Sequence, residues 1–303
     1  VGETTDCGSI YLIETAATSS DVSGTIIDAN FGENVDNATV ELLDSYGSVV
    51  SGFTQSTESN GTFEMESVDP GTHSIRISKS GFYTLTVSNV VVDGRDGDEN
   101  IGRQAICQNL APYQIRVTVQ WGQNPQDLDL HVTGPSAHTV QEESGNDGST
   151  NNRFHVFYRN QKSFNETVTS GYYGSDGDPY GTSSTTSLVQ DTTSGYGPEA
   201  INIFKNIGNY AGGLYKFSVH DYSHSNWYAS TIVMRVYNEY GLVREISFPS
   251  GAGSNYLWKA MRITVASANN VIDVDDIAVV NSFSSINKSF PAYDNRDKTV
   301  FDW

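Results

Sequence analysis

Basic residues are scarce in this chain: 17 Lys and Arg stand against 36 Asp and Glu, giving a net charge of -19. Such a surface repels phosphate backbones and anionic lipid headgroups, which argues against nucleic acid and against adsorption to a membrane as partners. Long apolar runs are missing too. No stretch reaches the ~18 residues of a membrane span, so no membrane insertion is expected. No basic-then-apolar leader opens the chain, which reads as mature or as lying downstream of a signal outside it. Helical periodicity is equally absent, since no window sustains apolar residues at i, i+3, i+4 spacing between a cap and a stop.

What is present is alternation. Runs rich in Val, Ile, Thr, Tyr and Phe recur along all 303 residues, broken by Gly, Asn, Asp and Pro, and this is the pattern of half-buried strands. The chain is too long for one ordinary sandwich of about 100 residues and suits two. The fold class is therefore all-β, with two tandem β-sandwich domains and extended N- and C-terminal arms. Low Lys with abundant Ser, Thr, Asn, Gly and Tyr suggests an extracellular or cell-surface protein, and cations are the natural counterpart of its acidity.

Cysteine usage fits that compartment. Cys7 and Cys107 lie far apart with no C-x-x-C spacing, so a structural disulfide is expected in preference to a metal or redox pair, two buried thiols being the alternative. Closing so long a loop contributes up to ~4 to 5 kcal/mol in the chain-entropy model. Four Asn-x-Ser/Thr acceptors, at Asn37, Asn60, Asn165 and Asn287, mark the chain as a candidate glycoprotein.

The first module spans 23–108, with strands expected at 24–28, 39–43, 62–66, 73–79 and 83–92. Its turns are well specified: Asn60-Gly61 supplies positive φ, and Asp69-Pro70-Gly71 sets a second reversal. Ser23-Gly24-Thr25-Ile26, Ala38-Thr39-Val40-Glu41-Leu42, Asn60-Gly61-Thr62-Phe63, Val68-Asp69-Pro70-Gly71 and Lys79-Ser80-Gly81-Phe82-Tyr83 follow one another in this order. That order resembles the carboxypeptidase regulatory-like family, a transthyretin-like sandwich. The resemblance implies a non-catalytic appendage of the kind carried by secreted enzymes and bacterial surface proteins.

The second module, 109–266, opens on Ile115-Arg116-Val117-Thr118-Val119-Gln120-Trp121 and continues with Asp127-Leu128-Asp129-Leu130-His131-Val132 and Gly195-Tyr196-Gly197-Pro198-Glu199. These motifs resemble an uncharacterised bacterial surface-protein family, which implies a β-sandwich without a known reaction. The long polar stretch between Thr133 and Gln190 departs from that family and reads as surface loops. Outside the modules lie an N-terminal arm, 1–22, carrying Ile10-Tyr11-Leu12-Ile13, and a C-terminal tail, 267–303, carrying Val271 to Val280. Both look like strands seeking a sheet edge, on their own chain or on a neighbour.

Asp127 and Asp129 sit two apart on an expected strand, so their carboxylates share one face while Leu128 and Leu130 point to the core. Like charges so placed ask for compensation. A Ca²⁺ ion would use Asp127, Asp129, and Asp191 or Glu199 from the later turn; a solvated acidic face is the alternative. The acidic glycine loops at 93–99 and 175–178 lack EF-hand spacing. No nucleophile elbow, H-E-x-x-H or phosphate-binding glycine loop occurs, and His220 and His224 alone do not define a metal site. Tyr172, Tyr173, Trp227, Tyr228, Tyr256 and Trp258 fall in or near loops; core packing is the first expectation for any one of them, and exposed rings would offer stacking faces for sugars or anchors for a protein interface.

The reading that unites these features is a non-enzymatic subunit of an extracellular filament or surface assembly. Its partners would be copies of itself, joined by strand or tail exchange, with attached glycans and Ca²⁺. A monomeric adhesin or carbohydrate-binding module is the alternative, and an accessory piece of a secreted enzyme the third.

Overall fold

The computed structural model describes residues 18–94, 97–112, 114–135, 153–158, 162–164, 184–204, 213–249, 251, 255–265 and 277–284. They form 18 strands, with one short 3-10 turn at Trp227–Ala229. The first sandwich uses β1 (Ser20–Asp28), β2 (Thr39–Leu43), β3 (Val49–Ser56), β4 (Thr62–Val68), β5 (Gly71–Ser78), β6 (Leu85–Val92) and β7 (Glu99–Ile106). A three-stranded sheet β4-β1-β7 and a four-stranded sheet β3-β2-β5-β6 build it. Alternation along β1 and β4 sends Val22, Ile26, Phe63 and Met65 into a core shared with Leu42 and Ile75. The Asn60-Gly61 turn forms as its chemistry requires. Gly61 has φ 76°, and the Asn60 side-chain oxygen accepts from the Thr62 amide at 3.1 Å.

The second sandwich contains β8 (Gln114–Gln120), β9 (Leu128–Pro135), β10 (Arg153–Val156), β11 (Lys162–Phe164), β12 (Ser184–Leu188) and β13 (Glu199–Phe204). It is completed by β14 (Gly213–Asp221), β15 (Val233–Asn238), β16 (Gly241–Ser247), β17 (Leu257–Val265) and β18 (Ile277–Ser284). One sheet runs β10-β9-β14-β17-β18 and the other β11-β12-β13-β8-β15-β16. Leu128, Leu130 and Val132 from the first meet Val117, Val119 and Ile201 from the second in a buried core.

Two sequence expectations change. The polar stretch 134–189 is not loop throughout: β10 extends the first of these sheets and β11–β12 the second. These strands have three to five residues each, too short for alternation to be legible. The C-terminal tail is not wholly an arm either. Its segment β18 pairs antiparallel with β17 of the same chain, Trp258 opposite Phe283, so the sandwich runs past residue 266. At the other end β1 begins at Ser20, three residues before the expected boundary, and the Thr18 amide donates to the Gly94 carbonyl of its own module. Ile10 to Ile13 and Val271 to Asp276 lie outside the described residues.

The modules are latched to each other. In β8 the residues Ile115, Val117 and Val119 face the sandwich core, yet Arg116 and Thr118 on the opposite face are buried as well. Arg116 lies 3.5 Å from the Cys107 sulfur, at the end of the first module. The Gln120 side chain caps the β7 main chain, accepting from the Ala105 amide at 3.0 Å and donating to the Arg103 carbonyl. Arg235 donates to the same Gln120 oxygen at 3.0 Å and to Glu245 at 2.7 Å. A small apolar cluster of Ile27, Ala29, Ala105, Cys107, Leu110 and Tyr237 seals the junction, with Tyr83 stacked on Tyr237.

The Gly195-Tyr196-Gly197-Pro198-Glu199 turn has a packing reason. Gly195 has φ 76°, and Gly197 lies flat against the buried Trp121 ring, where an added Cβ would overlap the six-membered ring. Replacing Gly197 with Ala must displace the turn or the indole. Gly197→Ala is expected to cost roughly 1 to 3 kcal/mol, read as a lowered thermal midpoint, whereas Gly47→Ala, which meets nothing within 4 Å, should cost only its left-handed backbone strain.

Candidate metal centre

Strand β9 carries the site. Its alternation buries Leu128, Leu130 and Val132 in the core and turns Asp129, His131 and Thr133 to the other face, which is also buried. On the neighbouring β14, His220 pairs with Asp129 and Ser218 with His131. Asp127 precedes the strand, and its carbonyl accepts the Tyr222 amide at 3.1 Å.

The turn after β12 delivers Asp191, and the first residue of β13 delivers Glu199. Glu199 is fully buried. One of its oxygens accepts the Leu130 amide at 2.7 Å and the other the Thr192 amide at 3.0 Å. Among the described strand pairs the β10 ladder reaches β9 only from Val132 onward, and Glu199 supplies the acceptor for the Leu130 N–H beyond it. A side chain from one sheet thus satisfies the backbone of the other.

Of the four residues expected to bind a cation, Asp127, Asp129 and Asp191 each offer an oxygen, and these lie within 4.8 Å of one another. Donors at ~2.4 Å from a common Ca²⁺ reach that separation. Glu199 adjoins them: one of its oxygens accepts the amide of Thr192, the residue after Asp191. Sequence reasoning did not include Asp221, which is fully buried at the end of β14. Its Oδ1 accepts from the Ser223 hydroxyl at 2.7 Å, and its Oδ2 has no hydrogen-bond partner.

The electrostatics follow from this crowding. Burial, then the charges of Asp129, Asp191 and Asp221, push Asp127 up to about 7. Asp129 is raised by burial and then by Asp191 and Asp221. Burial raises Asp191, with neighbouring Glu199 opposing the rise. Glu199 is raised by burial and by Asp129, against its two amide donors. At neutral pH the corner holds its protons or takes a cation; bare, it is a costly concentration of charge.

The other sequence-predicted positions scatter. Cys107 is buried at the module junction, where burial pushes its thiol up to about 11. Its expected partner Cys7 lies outside the described residues. Asn37 and Asn60 are exposed; Asn165 and Asn287 lie outside the described residues. Among the aromatics offered as sugar platforms, Trp227 and Trp258 belong to the core, and Tyr228 is about half exposed, at 53%. Tyr256 stacks on His224. Tyr172 and Tyr173 lie outside the described residues.

Comparison with known proteins adds one firm element. Residues 21–101 match the carboxypeptidase regulatory-like domain. The match covers the first sandwich, from β1 into β7. No curated protein matches the chain.

Solved structures with similarity include a type II cohesin–X-dockerin complex from Acetivibrio cellulolyticus, at 25% identity over 31% of this chain and 59% of that one, TM-score 0.23. BcpA, the major pilin subunit of Bacillus cereus, is 8% identical over 75% of this chain and 67% of that one, TM-score 0.24 for the native form at 9% and 0.23 for a D312A form at 8%. A streptococcal ancillary pilin is 15% identical over 47% and 50%, TM-score 0.23. This chain thus spans 59% of the length of the first. Scores of this size carry no argument about function.

The folded chain holds the corner's protons more tightly than the unfolded chain, whose aspartates titrate near 3.8. The corner's contribution to stability is therefore fully present below that value and is lost as pH rises through about 7. In chelator-treated protein the thermal midpoint should fall between about pH 5 and pH 8, and Asp127→Asn should flatten that fall. An equally steep fall in the variant would contradict this assignment.

Proposed function

We propose that the chain is a non-enzymatic structural subunit of an extracellular filament or surface assembly. The observation that carries this reading is the latched junction. Gln120, Arg235 and the cluster around Tyr237 hold the two sandwiches at a set angle, which suits a unit that transmits position along an assembly. Copies of the chain would join by strand or tail exchange. The β3 strand supports this: it is an eight-residue sheet edge with six residues exposed, open to a strand from a neighbour. No helix among the described residues is long and apolar enough to cross a membrane.

In the same reading Asp127, Asp129, Asp191 and Glu199 hold a structural Ca²⁺, Cys107 pairs with Cys7, and N-glycans occupy exposed acceptors such as Asn37 and Asn60. A Ca²⁺ at this corner ties the start of β9 to the turn ahead of β13. A second reading, a monomeric adhesin or carbohydrate-binding module, is favoured by the exposed Tyr46, Tyr228 and Tyr240. The burial of Trp227 and Trp258 weakens it, because the largest stacking faces are spent in the core.

Size-exclusion chromatography with light scattering, followed by electron microscopy, separates the two. Long or large assemblies are expected; a stable monomer at high protein concentration overturns the subunit reading and leaves the adhesin. For the ion, Ca²⁺ at a hundredfold excess over its Kd should stabilise the protein by about 2.7 kcal/mol, and chelator should reverse the gain. Unchanged melting in both conditions counts against a structural Ca²⁺.

A further inference from the structure

The acidic corner has a second side with different donor chemistry. Asp129, His131 and His220 each present one ligand atom, and the three atoms lie within 4.8 Å of one another. The backbone sets this up. Asp129 and His131 are two apart on β9, and the β9–β14 register places His220 opposite Asp129. None of the three is more than 2% exposed.

The spacing is that of ligands around an ion. Asp129 Oδ2 has no hydrogen-bond partner and lies 3.4 Å from His220 Nδ1. Two donors at ~2.0 to 2.1 Å from one tetrahedral ion stand at about that separation. A further buried carboxylate follows His220 at the end of β14: Asp221 has an oxygen without a hydrogen-bond partner. Packing holds the rings in place. Phe157 stacks on His131 with centroids 5.4 Å apart, and Tyr222 meets His220 edge-on at 5.9 Å.

Imidazole nitrogen does not suit Ca²⁺, which takes oxygen ligands. Two imidazoles and a carboxylate suit a borderline divalent ion. We infer that Asp129, His131 and His220 form a second cation site, for a zinc-class divalent metal, which shares Asp129 with the all-oxygen corner. Apart from that shared residue it does not rest on the Ca²⁺ reading or on assembly. The ion would fix β9 to β14 at the end of the sheet where Asp129 pairs with His220.

The test uses the full chain. Protein produced in zinc-supplemented medium should contain about one zinc per chain by elemental analysis, as the three-ligand site requires. Its X-ray absorption spectrum should show a mixed nitrogen and oxygen shell with imidazole scattering. Chelator-stripped protein titrated with Co²⁺ should develop the visible absorption of a four-coordinate site. His131→Ala and His220→Ala should each abolish that absorption while keeping the β circular dichroism of the parent. Asp191→Asn should keep Co²⁺ binding and weaken Ca²⁺ binding, and Asp129→Asn should lose both.

Absence of zinc together with absence of a Co²⁺ spectrum overturns the inference. So does an all-oxygen shell around the bound zinc, a result that stands even if the histidine variants fail to fold. Ca²⁺ binding without Co²⁺ binding removes this site and leaves the acidic corner. The converse removes the Ca²⁺ reading alone.

Discussion

Burying carboxylates costs several kcal/mol per charge unless protons, donors or a cation answer them, and the second sandwich buries a group of them at one corner. Glu199 shows how the structure meets that cost. Its two oxygens take amides from β9 and from the turn before β13, so a side chain does the work of a strand's carbonyl. Asp127, Asp129 and Asp191 then gather around the same edge, with His131 beside Asp129 on β9 and His220 opposite it on β14. The start of β9 is held by this polar cage on one face and by Leu128 and Leu130 in the core on the other.

The rest of the architecture is arranged around keeping that sandwich intact and oriented. Trp121 directly follows β8, and its ring supports the glycine turn that delivers Glu199. One residue earlier, Gln120 reaches the other way to cap β7 of the first module. Residues 120 and 121 therefore couple the acidic corner to the junction between modules through adjacent positions at the end of β8. Cys107 lies in the same junction, 3.5 Å from an Arg116 nitrogen whose guanidinium also donates to Asn202 of the six-stranded sheet.

Much of this was legible in the residues. Period-two alternation and turn dipeptides announce strands wherever a run is long enough, which is why β1, β2, β4, β5, β6, β8 and β9 are visible by eye. The carboxylate pair Asp127 and Asp129 could be read as sharing a face for the same reason, and the later turn with Asp191 and Glu199 as its complement. The continuation of the pattern to His131 carried the signal for a third ligand on that face. His220 carried none, because its place beside Asp129 depends on which strand pairs with β9 and in what register.

The sequence by itself determined the all-β class, the first module's family, the turns that need glycine and the face on which Asp127 and Asp129 stand. These follow from local sterics and from alternation, which act over a few residues. Only the tertiary structure decided that β18 returns to its own sheet, that β10 to β12 extend both sheets, that Trp227 and Trp258 are core, and that Gln120 latches the modules. It alone brought Asp191, Glu199, Asp221 and His220 to the edge of β9. Strand partners are chosen by the packing of whole sheets, and no short window of residues contains that choice.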